Sequence, residues 1–168
     1  MTWLGQQPGV IFLGQAVRFA GTGCYESLTG VPDALKIEFP VAENFQIGVS
    51  TGLALSGWTP VSVVPRWNFL LSATDQIVNH LDKLHRLSGG RINPRVIIRV
   101  ARGSETPVDP QDQHKGDFAE AFALMCPNID ILCCRTPEEI RTNYEFAWSN
   151  HRSSIVVEYP DYGRTALS

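Results

Sequence analysis

Six short apolar runs, set apart by stretches of helical spacing or turn residues, restrict the possible folds of this chain more than any other feature. They are "GVIFLG" at 9–14, "LKIEF" at 35–39, "TPVSVVP" at 59–65, "RVIIRVA" at 95–101, "IDILCC" at 129–134 and "SIVVEY" at 154–159. Each is of strand length, and together they read as six strands. Strands alternating with helices predict an α/β fold, a three-layer α/β/α arrangement around a mainly parallel six-stranded sheet.

The intervening segments supply the helices. One is predicted at 43–56, stopping at Gly57, a good left-handed cap position. From Phe69 the apolar residues Ile77, Val78, Leu81, Leu84 and Leu87 recur at helical spacing until "SGG" at 88–90. Further helices are predicted at 118–125 and at 136–149, the latter opening with Thr-Pro-Glu-Glu, which suits capping and proline in the first turn. The polar stretch 102–117, with prolines at 107 and 110, has no periodicity and reads as a long loop, a kind more often functional than idle. The 168 residues are the size of one domain, with a core at about 9–160 and a short tail at 161–168.

Charge and cysteines narrow the functions. A net charge of −3 without any run of like charges argues against nucleic acid and anionic membrane as partners. "MTWLGQQPGV" lacks the basic start and apolar run of a signal peptide, and no stretch is long enough to span a bilayer, so a cytoplasmic setting is expected. Cys24, Cys126, Cys133 and Cys134 form no CxxC or Cys/His ligand spacing; they read as reduced thiols, and no metal site is expected on this chain.

There is no GxGxxG after a strand and no GxxxxGK[ST]. In open α/β sheets the ligand sits at the carboxyl ends of the strands, so the loops after strands two, three and four matter most. Glu43 follows strand two, Trp67 and Phe69 follow strand three, and His114 lies in the loop after strand four. A carboxyl, an aromatic platform and an imidazole on one rim could bind a flat heterocycle. Each also has a plain structural role: an acid favoured at a helix N-terminus, core aromatics, a solvated loop histidine. Gly48, Ser50, Thr51, Gly52 and Ala54 would let the helix at 43–56 closely approach either its own sheet or another subunit.

The blocks "IFLGQAV", "FPVAENFQIGVSTGLALSGWTPV", "NFLLSATDQIVNHLDKLHRLSGG", "RVIIRVARG", "QHKGDFAEAF" and "SIVVEY" resemble the pyrimidine-binding domain of thiamine-diphosphate enzymes. The resemblance is greatest to the N-terminal domain of the beta subunit of the 2-oxoacid dehydrogenase decarboxylating component, the pyruvate and branched-chain enzymes. Its specific part is 39–90, with the Pro-x-x-Glu turn, the glycine-spaced helix and "DQIVN". Transketolase shares the fold but is less similar: Asn44 follows Glu43 where a His is usual there.

The resemblance implies that Glu43 hydrogen-bonds a ring nitrogen of the cofactor's aminopyrimidine and exchanges a proton with it, which a carboxyl can do and an amide cannot. It implies that Phe69 packs on that ring, that Pro65 and Trp67 line the same wall, that Val41 touches the ring, and that His114 is a general acid/base near the substrate. Lys115 and Gly116 stand where Ser-Gln is usual, and Gln15 replaces an acidic residue.

The chain also lacks the Gly-Asp-Gly followed about thirty residues later by Asn that marks the diphosphate-binding domain, a Mg²⁺-holding arrangement, and it stops where a full beta subunit continues into a C-terminal domain. The expectation is a small pyrimidine-domain subunit of a split thiamine-diphosphate enzyme. Its partner would carry Gly-Asp-Gly and ligate Mg²⁺, in a heterotetramer with an interface between pyrimidine domains or across subunits. The pair would decarboxylate a small 2-oxo acid and transfer the acyl or ketol unit. A split transketolase-type subunit and a non-catalytic scaffold or regulatory relative are the alternatives.

Overall fold

The computed structural model describes residues 1–105 and 109–161; Pro107 of the expected loop and the expected tail from 162 onward lie outside them. The strands are β1 (Val10–Gly14), β2 (Lys36–Glu38), β3 (Thr59–Val64), β4 (Ile97–Ala101), β5 (Asp130–Cys134) and β6 (Ser154–Glu158). They form one six-stranded sheet in the order β2-β1-β3-β4-β6-β5, and every neighbouring pair is parallel. All six expected strands are present, within a residue or two at each end.

Alternate residues of the central strands enter two separate cores, so those strands are apolar on both faces and read as unbroken hydrophobic runs. On one face Val64, Ile98, Val100, Ile155 and Val157 pack with Ile47, Trp67, Leu70, Ile77 and Phe122. On the other, Val61, Val63, Ile97 and Val156 pack with Leu4, Phe12, Leu28, Tyr144 and Ala147. The first face is covered by α3 (Glu43–Leu55), α4 (Trp67–Leu70), a π-helix at Gln76–Leu81 and α6 (Ala119–Met125), with α5 (Leu84–Leu87) following the π-helix outside that core. The second is covered by α1 (Thr2–Gly5), α2 (Gly23–Ser27) and α7 (Pro137–Ser149). The result is the three-layer α/β/α sandwich that the alternation of runs implied.

Helix α7 begins as its sequence suggests. Thr136 Oγ1 accepts from Glu139 N at 3.1 Å, Glu139 Oε2 accepts from Thr136 N at 3.1 Å, and Pro137 occupies the first turn. The single helix expected from Phe69 to Leu87 is instead a mixed right-handed run: α4, a 3-10 turn at Leu71–Ala73, a π-helix at Gln76–Leu81, then α5. Apolar spacing sets which side faces the sheet, and it does not distinguish these hydrogen-bond patterns. At 21–23, "GTG" supplies a cap: Thr22 Oγ1 accepts from Tyr25 N at 3.2 Å at the start of α2.

The sheet reverses direction of growth at β1. The chain leaves β1 toward β2 on one side and returns to β3 on the other, opening a crevice above the carboxyl ends of β1 and β3. Gly14 ends β1 there without a side chain, since a Cβ would collide with the Val63 carbonyl oxygen.

Candidate active site

Glu43 is the first residue of α3, two residues past exposed Val41. The helix start has Ala42 as its cap and no side-chain acceptor, so an acid in the first turn suits the positive end of the helix dipole whatever else it does. Ser72 Oγ stands 3.3 Å from Glu43 Oε2 and 2.9 Å from the Phe69 carbonyl oxygen. The hydroxyl has one proton for both acceptors and ties the carboxylate to the segment that carries Phe69.

Phe69 in turn meets the loop after β4. Its ring centroid is 5.0 Å from that of His114, the planes inclined by 59°. His114 closes a 3-10 turn, Asp112–His114, that starts from Gln111 at φ 60 and ψ −178, a backbone region costly for any residue but glycine. Several features hold the turn. Asn68 Oδ1 accepts from Gly116 N at 3.2 Å; Lys115 Nζ bridges Glu105 at 3.1 Å and Asp109 at 2.9 Å; and Gly103 admits the His114 carbonyl oxygen where a Cβ would stand. The hydrogen bonds that Lys115 donates to Asp109 and Glu105 raise its pKa. Lys115, which departs from the resembled motif, thus serves here to close its own loop.

The structure therefore brings Glu43, Phe69 and His114 into one connected line through Ser72, at the carboxyl edge of the sheet. Trp67 is placed differently. It is fully buried in the core, its ring 5.1 Å from that of Phe122 and edge-on to Phe118 at 6.3 Å. Pro65 lines the crevice above β1 and β3 together with Gln15. Val41 is 69% exposed and contacts no core cluster. Ser72 and Asn68 were not singled out from sequence. The only signal for them is a polar residue on either side of Phe69 in an otherwise apolar segment.

Among the described residues, four buried side-chain polar atoms have no hydrogen-bond partner, and three of them belong to this region: Arg66 Nη1, Trp67 Nε1 and His114 Nδ1. Such atoms are rare in folded proteins and each calls for a reason. Around Glu43 and Ser72 the apolar surface is uncovered as well, with Val41, Phe45 at 61% and Leu71 at 40% exposed. Phe45 is steadied only on one side, by Phe39, with ring centroids 5.4 Å apart. A flat ring could rest on this edge with a carboxyl, an aromatic face and an imidazole within its perimeter.

The fold is that of a parallel-sheet α/β protein whose strand order reverses at β1, the place where open sheets of this kind take their ligands. The family described as "Transketolase, pyrimidine binding domain" matches residues 2–161, and the chain belongs to it. It is 28% identical over 158 residues to the pyruvate dehydrogenase E1 component subunit beta of Chaetosphaeridium globosum, covering 92% of this chain and 47% of that protein. It is 30% identical over 142 residues to the mitochondrial pyruvate dehydrogenase E1 component subunit beta of Drosophila melanogaster, covering 82% of this chain and 38% of that protein. The chain spans less than half the length of these relatives. Among solved structures, a "split gene transketolase, inactive beta4 tetramer" superposes with a TM-score of 0.69 at 18% identity, over 93% of this chain and 47% of that one, which supports the fold.

Proposed function

We propose that this chain, as a single pyrimidine-binding domain, forms one half of a thiamine-diphosphate site and acts with a second polypeptide to decarboxylate a small 2-oxo acid. The observation that carries this is the line Glu43–Ser72–Phe69–His114 on the carboxyl edge of the sheet, under an uncovered apolar rim. The residues fit an aminopyrimidine: a carboxyl able to exchange a proton with a ring nitrogen, and an aromatic face tied to it through Ser72.

When bound, thiamine diphosphate would supply a nucleophilic carbon for addition to a 2-oxo carbonyl. Glu43 would hold and move the proton at the pyrimidine nitrogen, and Ser72 would fix the orientation of its carboxylate. Phe69 would support the ring, with Trp67 packed behind that wall, Pro65 at its crevice end and Val41 closing over it. His114 would give and take a proton at the substrate side.

A partner is part of the proposal. Gly52, which the sequence offered for close approach, is exposed, and a Cβ there would meet nothing within 4 Å, so the chain's own sheet does not require it. With Phe45 and Leu55 on the exposed side of α3, that small residue suits a neighbouring subunit. In this proposal the Mg²⁺ and diphosphate would be held by a subunit carrying Gly-Asp-Gly, in a heterotetramer. No described helix is long and apolar enough to cross a membrane. The described cysteines are free thiols, which suits the proposed cytoplasmic setting.

The test is co-purification with a Gly-Asp-Gly subunit, then calorimetric titration of thiamine diphosphate and Mg²⁺ into the pair, each chain alone, and the Glu43→Gln pair. Binding by the pairs only, with 2-oxo acid decarboxylation lost in Glu43→Gln while the cofactor stays bound, is the expected result. A Glu43→Gln pair that decarboxylates at the normal rate would remove Glu43 from the chemistry. An intact pair that binds no cofactor would leave the scaffold alternative.

A further inference from the structure

We propose that the crevice above β1 and β3 is a binding site for a small aliphatic monocarboxylate, with Arg66 as the group that holds the anion. The crevice has a volume of about 430 Å³, within the usual range for small-molecule sites. Among the residues that line it, only Pro65 belongs to the proposed cofactor site; Glu43, Phe69 and His114 do not border it.

Its charges decide the ligand class. Arg99 and Glu158 line the floor and neutralise each other, Nε to Oε1 and Nη2 to Oε2 both at 2.9 Å, with the third edge of the guanidinium on Ser27 Oγ at 2.6 Å. Cys24, also on the wall, is kept as a neutral thiol by burial, which raises its pKa. Arg66 is the remaining charge. Its guanidinium makes no hydrogen bond or ion pair among the described residues, and its Nη1 is fully covered near Gly103. The residue as a whole is half-buried and borders the crevice, and no described side chain supplies it with an anion. The crevice thus carries one net positive charge, which a monoanion cancels. A phosphate dianion would leave an uncompensated negative charge beside Glu158. The planar guanidinium matches a carboxylate. Val63, Val64, Pro65, Ala101 and Pro160 form an apolar wall that fits a short aliphatic tail.

The site needs neither cofactor nor partner, so it can be tested on the chain alone and stands or falls separately from the catalytic reading. Pyruvate, propionate and inorganic phosphate are titrated into the ¹⁵N-labelled full chain, followed by amide shifts and by calorimetry, with Arg66→Gln and Arg66→Lys alongside. Saturable carboxylate binding is expected, with shifts centred on Gln15, Ala16 and Ala101 and phosphate weaker. Arg66→Gln should weaken it about tenfold or more, as expected for loss of a charge-assisted hydrogen bond, with Arg66→Lys in between. Preference for pyruvate over propionate would mark the ligand as a 2-oxo acid, and equal affinity a simple carboxylate; both support the site. Absence of saturable shifts at those amides in the wild-type chain, affinity unchanged in Arg66→Gln, or phosphate binding more tightly than the carboxylates would overturn the proposal.

Discussion

Ser72 Oγ lies 3.3 Å from Glu43 Oε2, and through its 2.9 Å contact with the Phe69 carbonyl it joins the start of α3 to the segment after β3. The bond is exposed, so its loss should cost little stability, below about 1 kcal/mol. If Glu43 handles a proton, however, an unheld carboxylate spends less time in register. Ser72→Ala in the assembled pair should lower kcat about tenfold with KM little changed. Unchanged kcat would make Ser72 a purely structural link.

Arg99 and Glu158 hold the sheet together from within, 14% and 15% exposed and joined by two parallel hydrogen bonds, while Tyr144 Oη donates to Glu158 Oε1 at 2.8 Å. Burial alone would lower the Arg99 pKa, but the adjacent Glu158 carboxylate outweighs it and the pKa is raised. Removing only the negative partner leaves a buried cation. Glu158→Gln should therefore destabilise the chain by about 3 kcal/mol, and the double change Glu158→Gln with Arg99→Met by less than Glu158→Gln alone. Denaturant melts of the two variants check this.

The strands were legible because burial on both faces demands continuous apolar runs, as in "TPVSVV", where all six residues are buried. Glu43 and His114 were legible as residues placed at strand ends, but Trp67 was not separable from Phe69 by composition. Their difference lies in helical phase: Trp67 and Leu70, three apart, both point into the core, while Phe69 is turned toward His114. The π-helix was hidden for a similar reason, since the spacing of Ile77 and Leu81 serves either helix type. The Arg66 environment was illegible because it depends on Gly103, distant in sequence, and on which other cation, Arg99, finds a carboxylate.

Gly103 holds the His114 turn by having no side chain. A Cβ would overlap the His114 carbonyl oxygen, and backbone cannot swing aside as a flexible side chain can. Gly103→Ala should displace the turn and separate the Phe69 and His114 rings, now 5.0 Å apart. The core around Trp67 and Phe122 should stay in place, because the atoms nearest a Cβ at Gly103 belong to His114 and Arg66. Amide and histidine ring NMR shifts confined to the 103–116 loop and Phe69, with decarboxylation by the pair reduced at least about tenfold, are expected. Shifts spread through both cores would contradict that separation.

Cys126 is fully buried, and loss of water around the thiolate pushes its pKa up from 9.0 to about 12, with the Asp82 carboxylate adding to the effect. The folded chain therefore keeps this proton at pH values where the unfolded chain has released it. The stability due to the buried neutral thiol is complete below the unfolded value near 9 and declines as pH rises toward 12, at up to about 1.4 kcal/mol per pH unit. Cys134, raised to about 11 by burial, adds loss of the same sign. Urea melts of wild type and Cys126→Ala between pH 8 and about 10.5 measure this directly. Cys126→Ala should start less stable, from lost packing, and then lose stability more slowly with pH. Parallel curves would mean that the thiol ionises in the folded chain as readily as in the unfolded one.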